Sequence, residues 1–256
     1  VDYEFMDTKR FRTKESAAMF DEMLKYHLDH SDPYDVVIVG DDAALRYAMA
    51  FREELFDGIP IVFEGVNDEE YALEAAKNPL VTGILEKLSV EKNIDMALKV
   101  NPSADKVVAI LDDSVTGEAE RKNFYSAEAE YPELEFSEIN SSELTTAKLQ
   151  QAVSKVDENT ILIYIVMSND GSGKQYTSSQ AIRMLVTYSK VPVYRMVEAG
   201  IGDGLLGGNV VSMYKSGEIA AQMAMDIANG TDSAEINVVK DSPNIYCVDE
   251  DVMRKF

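Results

Sequence analysis

Tryptophan is absent, cysteine occurs once (Cys247), histidine twice (His27 and His30), and basic residues are outnumbered, 24 Lys and Arg against 46 Asp and Glu. Each shortage excludes something. One cysteine makes no internal disulfide and offers no paired-cysteine metal or redox spacing, so the count says little about compartment. A formal net charge of −22 releases few phosphate counterions, which argues against DNA or RNA as partner, and it is repelled by an anionic lipid surface. No apolar run approaches the roughly 20 residues that cross a bilayer. Two histidines near the end of a helical pattern, beside Asp29 and Asp32, read as a solvated helix end rather than a catalytic base. No GxSxG elbow occurs, no metal-ligand spacing occurs, and no cofactor is expected.

What is present is a core-forming composition. Hydrophobic residues make up 46% of 256 positions, so the charge does not signal disorder, and the length suits one large domain or two lobes. The runs at 34–42, 59–63, 104–114, 159–173 and 191–200 are short, continuous and apolar, and each ends in or is followed by glycine or polar residues. They read as buried parallel strands with loops at their carboxyl ends. Helical spacing fills the intervals, at 13–28, 115–130, 143–156 and 178–189 among others. INVVK and NIYCV near the end read as two further strands, the second followed by a short helix. Strand–helix alternation predicts a doubly wound α/β fold, in which ligands sit beyond the carboxyl ends of the strands.

Several motifs invite sharper readings. Gly202-Asp203-Gly204-Leu205-Leu206-Gly207 fits the dinucleotide pattern GxGxxG, but extended residues follow where a helix must open, so an interlobe crossing is the preferred reading. Gly171-Ser172-Gly173-Lys174 resembles the end of a P-loop, yet Ser168 stands where its first glycine belongs and Gln175 where the magnesium-binding hydroxyl belongs. The pairs Asp41-Asp42 and Asp112-Asp113 stand at strand ends, where acids cap the next helix or meet a ligand; the sequence leaves both roles open.

MDTKR (6–10), VVIVGDDAAL, LFDGIPIVFEGVND, VTGILEKLSVEKNIDMALKVNPSADKVVAILDDS, VPVYRMVEAGIGDGLLGG and NIYCVDEDVM follow one another in an order that resembles the ABC-transporter substrate-binding-like family of the periplasmic binding protein type I superfamily. Sensor domains of bacterial membrane receptors such as histidine kinases are the nearest look-alikes. The resemblance implies two Rossmann-like lobes with parallel sheets closing on a small molecule, the first lobe spanning 1–104 and about 200–232, the second 105–199 and about 233–256. Carried over by position, the ligand contacts are Asp41, Asp42, Ala43, Gly65, Val66 and Asn67 in the first lobe. In the second they are Asp113, Ser114, Ser168, Asn169, Asp170, Arg195 and Glu198, with Tyr176 as an apolar wall. Family members begin with a strand and helix ahead of the strand that VDYEF resembles, so the first strand of the opening lobe is expected to be missing and the chain to be a fragment whose leader or anchor is cut away.

The functional expectation is a non-enzymatic, extracytoplasmic, membrane-tethered binding domain. Its ligand is an amino acid, a small organic acid or a sugar, and its partner is the signalling region of a receptor; a homodimer is also allowed. The importer lipoprotein that offers ligand to an ABC permease is the runner-up. A Rossmann-type enzyme using a nucleotide or nucleotide-sugar, and an acidic interaction module, are the readings from other classes.

Overall fold

The protein is described here by a computed structural model that covers residues 1–8 and 13–256. In chain order its elements are α1 (Lys14–His30), β1 (Val37–Gly40), α2 (Asp42–Ala50), α3 (Arg52–Leu55), β2 (Ile61–Val66), α4 (Glu69–Ala75), β3 (Val81–Leu85), α5 (Val90–Val100), β4 (Lys106–Leu111) and α6 (Val115–Ser126). There follow β5 (Glu135–Asn140), α7 (Thr146–Ser154), β6 (Thr160–Tyr164), α8 (Ser178–Tyr188), β7 (Val193–Arg195), β8 (Gly207–Val210), α9 (Met213–Ala228), β9 (Ile245–Val248) and α10 (Glu250–Lys255). The α/β class with parallel-rich sheets agrees with the expectation.

The chain forms two compact units, residues 1–87 with 213–243 and residues 88–212 with 244–256. The first carries a parallel sheet in the order β1-β2-β3, extended beyond β3 by a lone parallel bridge between Ile84 and Val239. Its core joins Leu45, Ile61, Phe63, Val66 and Leu85 on one side, and Val62 with Ala220, Met223, Ala224 and Ile227 of α9 on the other. The second unit holds the order β5-β4-β6-β7-β8-β9, parallel except for the last pair. Layers of helix cover it, with Val107, Ala109, Leu111, Phe124 and Ile163 in one cluster and Ile110, Leu149, Leu162 and Leu185 in the other. Strands buried on both faces need continuous apolar sequence, which is why β4 and β6 are legible as plain runs.

The expected lobe boundaries shift. The sequence put α5 in the first lobe, but Val90, Ile94 and Ala97 bury in the core around β4. It put 200–212 there too, whereas β8 pairs with β7 and β9. It assigned 233–243 to the second lobe, but Ser233 donates to the Pro79 carbonyl at 2.8 Å, Thr82 donates to that of Ile236 at 2.8 Å, and Val239 bonds to β3. INVVK therefore contributes a bridge rather than a strand. Two strands escaped the sequence reading: β3, inside a run that looked helical, and β5, an edge strand carrying Glu135 and Glu138. VDYEF is not a strand either. Asp2 accepts the Tyr34 hydroxyl at 2.8 Å and Glu4 meets His27 at 2.5 Å, so its alternate residues are drawn to α1 and its flank rather than into a ladder. Val1, Tyr3 and Phe5 stay exposed. On the described residues β1 forms an edge of its sheet, and Ile38 is 47% exposed there.

The glycine run resolves into a packing device. Gly208 lies in β8, and a Cβ there would collide with Oδ1 of Asn93. Asn93, fully buried on α5, donates to the carbonyls of Ser89 and Asn209, both at 2.8 Å, and accepts the Asn209 amide at 3.0 Å. The absence of a side chain at Gly208 thus lets one helix amide complete the hydrogen bonding of a buried strand. Asn93→Ala removes the side-chain partner of both Asn209 backbone groups and is expected to lower stability by about 2–6 kcal/mol, at about 1–3 kcal/mol for each unsatisfied group; urea unfolding of the variant against the parent measures it, and an unchanged midpoint contradicts it.

Candidate functional site

In the first unit the carboxyl ends of β1, β2 and β3 converge on one polar rim. Asp41 leaves β1 with φ 80° and ψ 155°, a region that only glycine enters freely and that costs another residue about 1–3 kcal/mol. Its amide donates to the Glu64 carbonyl at 3.0 Å, and its carboxylate caps α2 by accepting the Asp42 amide at 2.7 Å. Asp42 reaches across to the loop after β2, taking the amides of Asp68 at 3.0 Å and Asn67 at 3.4 Å. Asn67 donates to the Glu86 carboxylate at 3.2 Å and its carbonyl at 3.3 Å. Gly65, at φ 62°, brings backbone close to the Asp41 amide and the Glu86 carboxylate, where a Cβ would lie 3.6 and 3.7 Å away.

Of the residues expected here, Asp41, Asp42, Gly65 and Asn67 come together. Ala43 sits half-buried in the first turn of α2. Val66 is fully buried in the core and offers the rim only its carbonyl, which accepts from Glu86 at 2.9 Å. Two residues were missed, Glu64 and Glu86. A charge inside the apolar run IVFEG was the available signal. Burial, and then the neighbouring Asp41 carboxylate, push the Glu64 carboxyl above the usual range. Of the cations beside this rim, Arg46 is engaged with Asp68 and with the Tyr71 ring 4.1 Å away, and Lys87 pairs with Glu69 at 2.7 Å.

The second unit's rim is organised by Asp112, at the end of β4. Its buried carboxylate accepts the Ser114 amide at 3.0 Å and hydroxyl at 2.5 Å, and the Ser168 amide at 2.7 Å and hydroxyl at 2.6 Å. Burial pushes this carboxyl up, but the four donors outweigh it and hold it below its ordinary value. Asp112 is thus structural, and the cap of α6 falls to Ser114, which accepts the Gly117 amide at 3.1 Å. Asp113 is exposed and accepts from Asn140 at 2.8 Å and Arg121 at 2.9 Å. Its amide donates to the Ser142 hydroxyl at 3.0 Å, which donates on to Asn169 Oδ1 at 2.9 Å. Asp113, Ser114, Ser168 and Asn169 therefore share one network, with Asn140 and Ser142 as members that the unrecognised strand β5 concealed.

Two cations serve this rim differently. Arg121 is held by Glu118 at 2.7 Å, Asp113 at 2.9 Å and Glu138 at 3.0 Å, so its charge is spent. Arg195, at the end of β7 and 8% exposed, has no carboxylate partner among the described residues. Nη1 donates to the carbonyls of Tyr164 (2.9 Å) and Ile165, the guanidinium lies 4.2 Å from the Tyr164 ring centroid, and Nε is buried without a partner. Burial lowers the pKa of this group while Tyr164 opposes the shift.

Asp170 and Tyr176 turn elsewhere. The Tyr176 hydroxyl donates to Asp170 at 3.1 Å and meets Thr146 at 2.8 Å, beneath the start of α7. Glu198 is exposed beyond β7. Among the described residues no cluster of His, Cys, Asp and Glu is arranged to hold a metal, and no helix is long and apolar enough to cross a membrane.

Residues 1–255 match the sequence model of the family described as ABC transporter substrate binding protein. A tyrosine-binding protein of Clostridioides difficile is 22% identical over 203 residues, covering 77% of this chain and 56% of the relative, so the chain spans about half the length of that protein. Among solved structures, the ABC domain in complex with L-Trp from Streptococcus pneumonia superposes with a TM-score of 0.63 at 16% identity, covering 95% of this chain and 79% of the other. The ligand-free, open structure of a substrate binding protein with adhesive properties from Clostridium difficile gives 0.66 at 17% identity, with 86% and 72% covered. At these identities the structural likeness is one of fold.

The Asp112 knot makes a pH prediction. Its folded pKa is depressed, so its stabilisation is fully present above the unfolded value of about 3.9 and is lost as pH falls through the folded value. Asp170, held low by its hydroxyl and amide donors against the upward push of burial, acts in the same direction. Asp112→Asn is expected to unfold at lower urea than the parent at pH 7 and to lose less stability on acidification; parallel pH profiles for the two proteins contradict this.

Proposed function

We propose, for a chain that belongs to the ABC transporter substrate binding protein family, the role of an extracytoplasmic solute-binding component that delivers a small zwitterionic ligand, an aromatic amino acid, to an ABC permease. Family membership across residues 1–255 carries the binding-protein part of this reading, and the relatives are solute-binding proteins rather than enzymes. The receptor role expected from the sequence gives way to the importer role, because the family is described by transport and none of the relatives named above is described as a kinase or its sensor. The glycine run that supported a nucleotide enzyme is strand β8 and its approach.

The ligand class rests on the chemistry of the rims and on two relatives, one described as tyrosine-binding and one solved with L-Trp. Arg195 holds a charge with no carboxylate partner among the described residues at a strand end, which suits a carboxylate. Asp41, Asp42, Glu64 and Glu86 surround Gly65 with negative charge, which suits an ammonium group. Asn67 on the first unit's rim and Ser168 on the second's each add a polar group that can donate and accept. Binding would act by selecting the conformation that completes the ligand's contacts.

Calorimetric titration with the twenty amino acids, myo-inositol and ATP is the direct test. L-Tyr or L-Trp is expected to bind, and at 100 times its dissociation constant to add about 2.7 kcal/mol of stability. Binding of ATP or the polyol with no response to any amino acid overturns the ligand class. Glu64→Gln separates site from scaffold. It removes a desolvated charge, so the free protein is expected to gain stability at pH 7, above the unfolded carboxyl pKa of about 4.3, while amino-acid affinity falls about tenfold or more. Weaker binding with a less stable free protein would mark Glu64 as structural.

A further inference from the structure

A groove of about 270 Å³ runs between α7 and α8 in the second unit, apart from the strand-end rim. We infer that it is a second binding site, for a small monocarboxylate with an aromatic body. Its floor is apolar: the Tyr176 ring and Met184 are buried beneath it, and Tyr188, 38% exposed, stands at the far end. Its charge is positive, against the net charge of the chain. Lys174 extends its ammonium over the Tyr176 ring, 4.5 Å from the centroid, and Arg183 lines the wall from α8. Neither has an acidic partner among the described residues.

The acid under this groove does not neutralise them. Asp170 Oδ1 accepts the Ser172 amide at 2.9 Å, the Ser172 hydroxyl at 2.6 Å and the Lys174 amide at 3.1 Å, and Oδ2 accepts the hydroxyls of Thr146 and Tyr176 at 2.5 and 3.1 Å. Both oxygens are occupied inside the fold, so Asp170 makes no ion pair with Lys174 or Arg183, and one acid against two cations leaves the groove net positive. Gln180 caps α8 with its Oε1, which accepts the Thr177 amide at 2.9 Å, and so leaves its amide nitrogen to donate into the groove.

Size and chemistry then narrow the ligand. The volume of about 270 Å³ lies just below the roughly 300–1,000 Å³ of ligand pockets, which favours a small ligand over a nucleotide or disaccharide. Two cations beside an apolar floor favour one carboxylate whose ring packs against the exposed Tyr188 while its charge meets Lys174 and Arg183. A bare phosphate would meet the charges and leave the floor unused.

Amide-resolved NMR titration of the full chain with benzoate, and separately with inorganic phosphate, tests this. Benzoate is expected to shift amides of 146–150 and 180–188 with a dissociation constant of about 1 mM. Arg183→Glu, on an exposed helix surface, is expected to weaken it about tenfold or more without changing the melting temperature, and Lys174→Glu to do likewise. The inference is overturned if benzoate shifts only residues elsewhere, if both variants bind it as the parent does, or if phosphate binds the same amides as tightly as benzoate.

Discussion

One buried carboxylate fixes the geometry of the second unit's rim. Asp112 lies where β4 ends, and the two loops it holds, through Ser114 and Ser168, follow neighbouring parallel strands. Parallel strands leave their carboxyl ends without a shared turn, so loops that must present side chains together need a tie that is not part of the ladder. A charge serves better than a neutral group there because hydrogen bonds to an ionised acceptor are shorter and stronger. Asp42 has the corresponding place in the first unit, taking the amides of Asn67 and Asp68 from the loop after β2. In both units the acid pair after a strand divides its labour, one member organising the loops while the other caps a helix or faces outward.

That division was beyond the reach of the sequence. Asp41-Asp42 and Asp112-Asp113 look alike as text, yet Asp41 caps α2 where Asp113 is exposed, and Asp42 spans loops as Asp112 does. Which member turns inward depends on the backbone at the strand end, and the positive φ of Asp41 has no signature in a residue that is not glycine. The buried strands were legible because burial on both faces demands unbroken apolar runs, as in Ile161 to Ile165. Edges were not. β5 interleaves acids with Phe136 and Ile139, and so reads as a loop. VDYEF alternates like a strand but spends its acids on Tyr34 and His27.

The rim residues show the same limit. Position along a family pattern placed Asn67, Ser168 and Arg195 at strand ends. It also named Val66, whose side chain belongs to the core, and Tyr176 and Asp170, which pair beneath α7. Glu86 was invisible because a solvated glutamate and a rim glutamate are spelled the same way, and Glu64 showed only as a charge inside an apolar run. Of the two arginines beside the second rim, only the contacts separate them: Arg121 is saturated by three carboxylates, and Arg195 by none.

The division of the chain between its units bears on how the protein is made. α9, whose Ala220, Met223, Ala224 and Ile227 close one side of the first unit's core over Val62, is synthesised only after residues 88–212 of the second unit. Val252, in turn, completes the second unit's core from α10. A ribosome therefore releases neither unit as a finished body in the order of the message. The sheet of β1, β2 and β3 keeps one face uncovered until more than a hundred further residues have followed it in the chain.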